Sequence, residues 1–406
     1  MHAEIRHPRE EELDSLLRAD TAAFGELLKE ETLPVLRSVV ELDRALVATE
    51  GDAIVAGLTT ATFRLTVPGP DAVPCAGVTS AWTLPTHRRR GLLRALMNRH
   101  LEELRERGDP FAYLWASEAA IYQRFGYGLG TITGTINIRR EGTAFLREIE
   151  TAGRMRLAER DEALKLVPDI YERVRTTRPG MIDRPGPWLE YTWRQPEHPG
   201  GGPEFFAFYE TDSGPQGYVA YRIKEGWSLT TGPNHELDIS ELVWATDDAY
   251  TALWRYCFGV DLVRRVTGWK RPIDEPLLHM LAEPRALGFQ FHDGTWLRLV
   301  DVAAALEARR YSQEGRVVIE VDDALAPWND GTYELEGGPE GATCRPSGAE
   351  PDLSMRVEDL AAAYLGAVSF RTLAKAGRVV ERGPGALTTA DAMFSTTEAP
   401  WCPWIF

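Results

Sequence analysis

Apolar positions along the chain alternate between a period of two and a helical period, and each change of period marks an element. Ile5 to His7 reads as a short first strand, and after Pro8 the acidic run Glu10 to Glu12 favours a helix start, because carboxylates complement its positive end. Leu13, Leu16, Leu17, Phe24, Leu27 and Leu28 continue at helical spacing. The segments beginning at Leu46 and Ala53 flank Gly51-Asp52, which predicts a hairpin with a tight turn. Val78 to Leu84 is β-branched and aromatic, Pro85 cannot continue a central strand, and Leu92, Leu93, Leu96 and Met97 then recur at helical spacing. The order up to Leu84 is therefore β-α-α-β-β-β.

After that helix, Asp109-Pro110 interrupts the pattern and Phe111 to Ala116 is a compact apolar run, expected to be a buried parallel strand. Ser117-Glu118 can cap a helix that carries Ile121 to Phe125 and stops at Gly126. Parallel strands that splay form a crevice at their carboxyl ends, where ligands of open α/β sheets bind.

Residues 155 to 290 repeat this order loosely: Arg154 to Leu157, a helix from Asp161 to Arg175, strands near Phe205 to Tyr209 and Gly217 to Ile223, and Ile239 to Ala245 leading into a helix to Phe258. Pro179-Gly180, Pro185-Gly186-Pro187 and Pro199 to Pro203 predict loops within this part. From Trp296 the pattern changes again, with Leu297 to Val302, a helix through Arg310, strand-rich segments at Gly315 to Asp322 and Gly331 to Glu336, and helices at Val357 to Leu365 and Ser369 to Ala376.

The first chemistry lies between Leu84 and Leu92. A basic turn ending in glycine aims backbone N–H groups and a helix N-terminus at one point, and Arg88, Arg89 and Arg90 add full positive charge, so a diphosphate fits there. Arg88-Arg89-Arg90-Gly91-Leu92-Leu93 resembles the pyrophosphate loop of the GNAT acetyltransferases, (Arg/Gln)-x-x-Gly-x-(Gly/Ala), with Leu93 departing from the small last residue. At the corresponding junction of the second part stands Trp244-Ala-Thr-Asp-Asp-Ala-Tyr250, acidic and without the glycine, and two carboxylates repel a pyrophosphate.

Thr86 to Ala95 together with Ala116-Ser-Glu-Ala-Ala-Ile-Tyr-Gln-Arg-Phe-Gly-Tyr-Gly128 is similar to the Eis (enhanced intracellular survival) N-acetyltransferases over the whole chain. The resemblance implies an α/β (α+β) fold of tandem GNAT-like domains followed by a sterol-carrier-protein-like C-terminal domain. The expected boundaries are an active GNAT domain at 1–150, a second, non-catalytic GNAT-like domain at 151–292, and a sterol-carrier-like domain with a docked tail at 293–406. It further implies acetyl-CoA as co-substrate, held by Ala81, Trp82 and Thr83 along its pantetheine arm, by Arg89, Arg90, Gly91, Leu92, Leu93 and Arg94 at its pyrophosphate, and by Ser117 and Glu118.

Tyr122 is the general acid that the family motif implies, and a phenol with an unperturbed pKa near ~10 is protonated at neutral pH. Two prolines and two tryptophans in Glu398 to Phe406 argue for a docked tail. The family implies that the carboxylate of the last residue, here Phe406, is the general base; with an unperturbed pKa near ~3.5 it needs desolvation or water to take a proton. Phe24 and Glu26 are placed at the amine pocket by the same resemblance, and Trp401 and Trp404 as its hydrophobic or cation–π walls.

Composition narrows the partners. A net charge of -16 argues against general nucleic-acid affinity and suits cationic amines, aminoglycosides or other polyamines, with protein lysines as a further class. The four cysteines and eight histidines are dispersed, so no metal site or disulfide framework is expected. No apolar run approaches the ~18 residues of a membrane span, and the N-terminus has no apolar targeting core, which reads as cytoplasmic. The resemblance implies a homohexamer. Competing readings are a GNAT that transfers another acyl group and a non-catalytic protein that binds lipid or a protein partner through its C-terminal domain.

Overall fold

The computed structural model describes residues 3–69, 72–194, 202–230 and 232–406. Among these, the first sheet runs in the order Glu4–Arg6, Leu46–Glu50, Ala53–Thr66, Ala72–Thr83, Phe111–Trp115, Thr295–Leu299, Gly128–Leu129. The predicted β-α-α-β-β-β order is present, with helices Leu13–Ala23 and Leu33–Val39 between the first two strands. Leu16 and Leu17 of the first helix are buried, as their spacing requires. Helix Leu92–Arg107 buries Leu96, Met97, Leu101 and Leu104.

A second sheet runs in the order Gln290–Asp293, Ile132–Arg139, Val263–Pro272, His235–Trp244, Gly214–Lys224, Glu204–Thr211, Arg154–Ala158. A third, of five strands among the described residues, is built from Gly315–Asp322, Gly331–Gly338, Gly341–Pro346, Leu353–Arg356 and Val379–Glu381.

The sheets do not follow the segments expected from the chain. Ile132–Arg139, from the first segment, lies in the second sheet, between Val263–Pro272 and Gln290–Asp293. Thr295–Leu299, expected to open the third segment, instead lies in the first sheet, between Phe111–Trp115 and Gly128–Leu129. Strand pairing rewards any partner that satisfies its edge, and the alternating pattern does not say which sheet that is. The crossing is closed by buried hydroxyls: Thr131 and Thr295 share a hydrogen bond of 2.7 Å, Thr295 donates to Tyr113, and Tyr113 donates to the Gly180 carbonyl at 2.8 Å. A buried ion pair, Arg298 to Asp323 at 2.6 Å, ties the same exchanged strand to the C-terminal part.

Pro185-Gly186-Pro187 is a helix start and not a loop: Gly186–Arg194 is helical, and proline is tolerated in a first turn because its missing N–H has no intrahelical partner there. Within the run Pro199 to Pro203, residues 199–201 lie outside the described residues. The main core is continuous across these three large sheets, from Phe63 and Phe111 through Trp188 and Phe208 to Tyr364 and Trp404. No helix among the described residues is long and apolar enough to cross a membrane.

Candidate active site

The site begins where two parallel strands part. Ala72–Thr83 and Phe111–Trp115 are paired at Cys75–Phe111, Ala76–Ala112 and Gly77–Tyr113, and no further rung joins them. The register against Ala53–Thr66 shifts between Gly57 and Thr59, and Ser80 adopts φ 47°, so the strand bends at this bulge. The edge from Val78 to Thr83 is thereby left open on one side, a row of backbone donors and acceptors available to an extended ligand. Gly77 stands at the fork because a Cβ there would lie 2.3 Å from the Phe63 ring and 3.2 Å from the Phe406 ring.

Past the open edge, a short turn at Pro85–His87 leads into helix Leu92–Arg107. Arg89 (φ 63°) and Gly91 (φ 81°) are both left-handed, and Gly91 is the N-cap with no side chain capping the helix. The first-turn N–H groups therefore face outward unsatisfied by a cap, the ordinary makings of an anion site. Nothing lies within 4 Å of a Cβ built on Gly91, so the glycine is needed for its φ and the space above it is free. Arg90 is held by Glu50 at 3.0 Å. Arg89 and Arg94 are exposed and carry no hydrogen bond or ion pair among the described residues, which leaves their charge for a ligand.

Tyr122 ends the short helix Ala119–Tyr122, and its ring packs edge-on against Tyr127 with centroids 5.8 Å apart. It is 6% exposed, and burial raises its pKa, so the phenol stays protonated through the neutral range. Tyr127 is fully buried behind it and stands outside the cavity wall.

The tail Glu398 to Phe406 is docked along its length. Arg178 pairs with Glu398 at 3.4 Å and donates to the Ala399 carbonyl at 3.0 Å. The Trp401 indole donates to the Lys270 carbonyl at 2.6 Å and the Trp404 indole to the Tyr171 hydroxyl at 3.0 Å. Trp115 donates to the Trp404 carbonyl at 2.9 Å. The Phe406 ring then stacks on Tyr113 and meets Phe63 edge-on, and Thr79 of the open strand donates its hydroxyl hydrogen to the Phe406 main-chain oxygen at 3.2 Å.

Tyr122, Thr79 and Phe406 line one cavity of about 940 Å³. Its walls come from both of the first two sheets and from helix Leu13–Ala23. Five carboxylates line it, Asp20, Glu26, Glu204, Asp238 and Glu241, against three cations, Arg222, Lys224 and Lys270. Arg222 and Lys224 are engaged by Glu204 and by Glu236 and Asp238. Burial lowers the Lys270 pKa. Glu241 is paired in turn with Arg184, so Asp20 and Glu26 are the lining carboxylates without an ion pair among the described residues, and they favour an ammonium group over an anion.

Matches to family models cover the same ground: an acetyltransferase (GNAT) domain at residues 4–130, a second at 180–299 and a sterol carrier protein domain at 302–403. The chain is 40% identical to an uncharacterised N-acetyltransferase of Streptomyces avermitilis, over 96% of this chain and 95% of that one. It is 34% identical to the N-acetyltransferase Eis of Mycobacterium tuberculosis, over 96% of each chain. The crystal structure of Eis1 from Mycobacterium abscessus superposes with a TM-score of 0.87 at 35% identity, over 99% of this chain and all of that one. The chain belongs to the Eis family of GNAT N-acetyltransferases. It is accordingly an acyltransferase with an amine acceptor, and GNAT domains use acetyl-CoA.

In this Eis-family chain the expected site residues separate into three groups. Tyr122, Phe406, Phe24, Glu26, Ala81, Trp82 and Ser117 line the common cavity. Arg89, Arg90, Gly91, Leu92, Leu93 and Arg94 form the turn and helix start beyond it, where Leu93 packs half-buried on the core and offers only its backbone; Thr83 and Glu118 stand outside the cavity wall. Trp401 and Trp404 are corrected: they do not line the cavity, they are 1% and 0% exposed, and they serve as anchors of the tail, because their rings are covered by Arg178 and Arg271 and by Arg184 and their N–H groups are spent on Lys270 and Tyr171. The tryptophans of the wall are Trp82, Trp115, Trp188, Trp193 and Trp269 instead. Sequence reasoning also missed Thr79, Asp20 and Ser80. A signal for Asp20 existed, since it falls on the same helical stripe as Leu13, Leu16 and Leu17.

Proposed function

We propose that the chain transfers the acetyl group of acetyl-CoA to amines of cationic polyamines such as aminoglycosides, at more than one position. The observation that carries this reading is the meeting of Tyr122 and Phe406, from distant parts of the chain, in one acid-lined cavity at the open edge of Ala72–Thr83. The residues present fit acetyl-CoA: Ala81 to Thr83 offer the strand edge left open on one side to the pantetheine arm, and Arg89, Gly91, Arg94 and the first-turn N–H groups offer charge and donors to the pyrophosphate. When bound, the co-substrate supplies the thioester.

In this reading Phe24 and Glu26 receive the amine, and the carboxylate of Phe406, oriented by Thr79, accepts a proton from it. Tyr122 gives a proton to the departing thiolate, and its burial keeps it in the acid form until that step. A cavity of about 940 Å³ admits a polyamine in several orientations, which supports acetylation at several amines. The second GNAT domain serves as pocket wall and binds no CoA, and the assembly is a hexamer.

The test is thiol release from acetyl-CoA with neomycin as acceptor, with product masses read for one, two or three acetyl groups. Binding of acetyl-CoA without transfer to any amine removes the substrate class and leaves the fold. Absence of acetyl-CoA binding removes the catalytic reading in favour of a lipid- or protein-binding role for the C-terminal domain.

A further inference from the structure

The bulge in the open strand places two consecutive hydroxyls against two different carboxyl groups. Thr79 reaches the Phe406 main-chain oxygen at 3.2 Å, and Ser80, the next residue, donates to Asp20 Oδ2 at 3.0 Å from the opposing helix Leu13–Ala23. In a regular strand, neighbouring side chains point to opposite faces. Here Ser80 at φ 47° breaks that alternation, and a non-glycine residue held left-handed is strained, a cost that the surroundings must recover. Both hydroxyls and Asp20 line the same cavity. The other oxygen of the carboxyl, Asp20 Oδ1, is buried and has no hydrogen-bond partner. A buried carboxyl oxygen left without a donor is costly, unless a proton or a ligand donor occupies it during function.

We propose that Asp20 is a second proton acceptor for the reacting amine, working beside the Phe406 carboxylate. This assignment rests on the acetyltransferase reading above. The incoming ammonium gives one proton to Asp20 and becomes a neutral amine. Its lone pair attacks the thioester carbon, forming the C–N bond. The C–S bond breaks with its electron pair on sulfur, and the thiolate takes a proton from Tyr122. The nitrogen loses its second excess proton to the Phe406 carboxylate. One of the two captured protons restores Tyr122 and the other leaves to solvent.

The electrostatics suit that role. Burial raises the Asp20 pKa, the Ser80 hydrogen bond lowers it, and Glu26, in the turn after the same helix, raises it, with the balance at about 6. On the outer faces of this helix Arg18 pairs with Glu30 and Asp14 with Arg37, so those charges are spent elsewhere. Across the strand the facing group is the Phe406 terminus held by Thr79. A base must be ionised at working pH yet hold a proton when it receives one, and a carboxyl at about 6 does both better than one in the ordinary carboxylate range.

The experiment compares the full-length parent with Asp20→Asn and Ser80→Ala, following kcat and KM for a neomycin acceptor from pH 5 to 9, with melting temperature and acetyl-CoA binding measured alongside. Asn keeps the Ser80 contact and removes the proton-accepting oxygen. The expected result is a fall in kcat of about 10²-fold, loss of the acid limb near pH 6, unchanged acetyl-CoA binding and a melting temperature no lower than the parent's. In Ser80→Ala the acid limb moves to higher pH, by about half a unit or more, because the bond that favours the ionised form is gone. Asp20→Asn within threefold of the parent with its acid limb retained, or a change confined to KM, overturns the proposal while the acetyltransferase reading stands. A parent that binds acetyl-CoA and acetylates no amine overturns both.

Discussion

The two GNAT domains of this chain carry the same fork and treat it in opposite ways. In each sheet a single parallel pair runs for a few rungs and then ends, at Gly77–Tyr113 in the first and at Ile239–Gly268 in the second. Beyond the first fork the strand edge is open and the following turn holds two left-handed residues and an uncapped helix start. Beyond the second, Arg271 donates to the Leu242 carbonyl at 3.0 Å and to Glu275 at 2.7 Å, while Trp401 from the tail donates to the Lys270 carbonyl and packs on Trp244. There the helix Asp247–Gly259 is capped by Thr246 through the Ala249 N–H at 3.2 Å and begins with two carboxylates.

One architecture therefore presents an open edge or a brace according to whether its backbone groups are left unsatisfied, and in the proposed function the open edge takes the acyl donor. The comparison also explains the tail. Trp401, seated beside the second fork, fixes the path that brings Phe406 to the first.

The largest effects are expected where the open fork meets the tail. Tyr122→Phe, and separately a short Gly-Ser extension after Phe406, should each lower kcat by about 10²- to 10³-fold with acetyl-CoA binding retained, as read from thiol release and equilibrium binding. In the same assay the alkaline loss of activity should begin above pH 10, because the raised Tyr122 pKa keeps its acid form present below that pH. Activity persisting in either variant would detach the tail or the phenol from the chemistry.

A stability effect comes next. Trp404→Ala removes a fully buried indole and should cost about 3–5 kcal/mol in a denaturant titration, together with most of the activity, since the Phe406 position depends on it. Smaller again, Gly91→Ala puts a Cβ where φ is 81°, into free space; it should raise the KM for acetyl-CoA about tenfold through a strained loop, with kcat little changed. Last, Asp247→Ala with Asp248→Ala should lower stability by only about 0.5–1 kcal/mol and leave one acetyl-CoA bound per chain in calorimetry. Two bound per chain would mean that charge alone, and not the filled edge, silences the second fork.

Much of this was legible in the residues. The turn and helix start at Arg88 to Leu93, the Ile121 to Gly128 segment and the β-α-α-β-β-β order are local, and each is where its pattern placed it. The docking of a Trp- and Pro-rich tail also followed from its composition. The roles of its two tryptophans did not, because an aromatic side chain reads the same whether it walls a pocket or anchors a segment. Only their burial and the distant arginines that cover their rings decide between the two.

What the sequence determined by itself is what neighbouring residues impose on one another: periodicity, helix starts and stops, the left-handed glycine, an excess of acid, and the motifs that assign the family. The tertiary structure alone decided which sheet receives Ile132–Arg139 and Thr295–Leu299, that one fork is filled and the other open, and that Asp20 faces Ser80 across the bulge. These depend on edges and polar groups being satisfied by partners far away in the chain, and no local pattern encodes which distant partner supplies the bond.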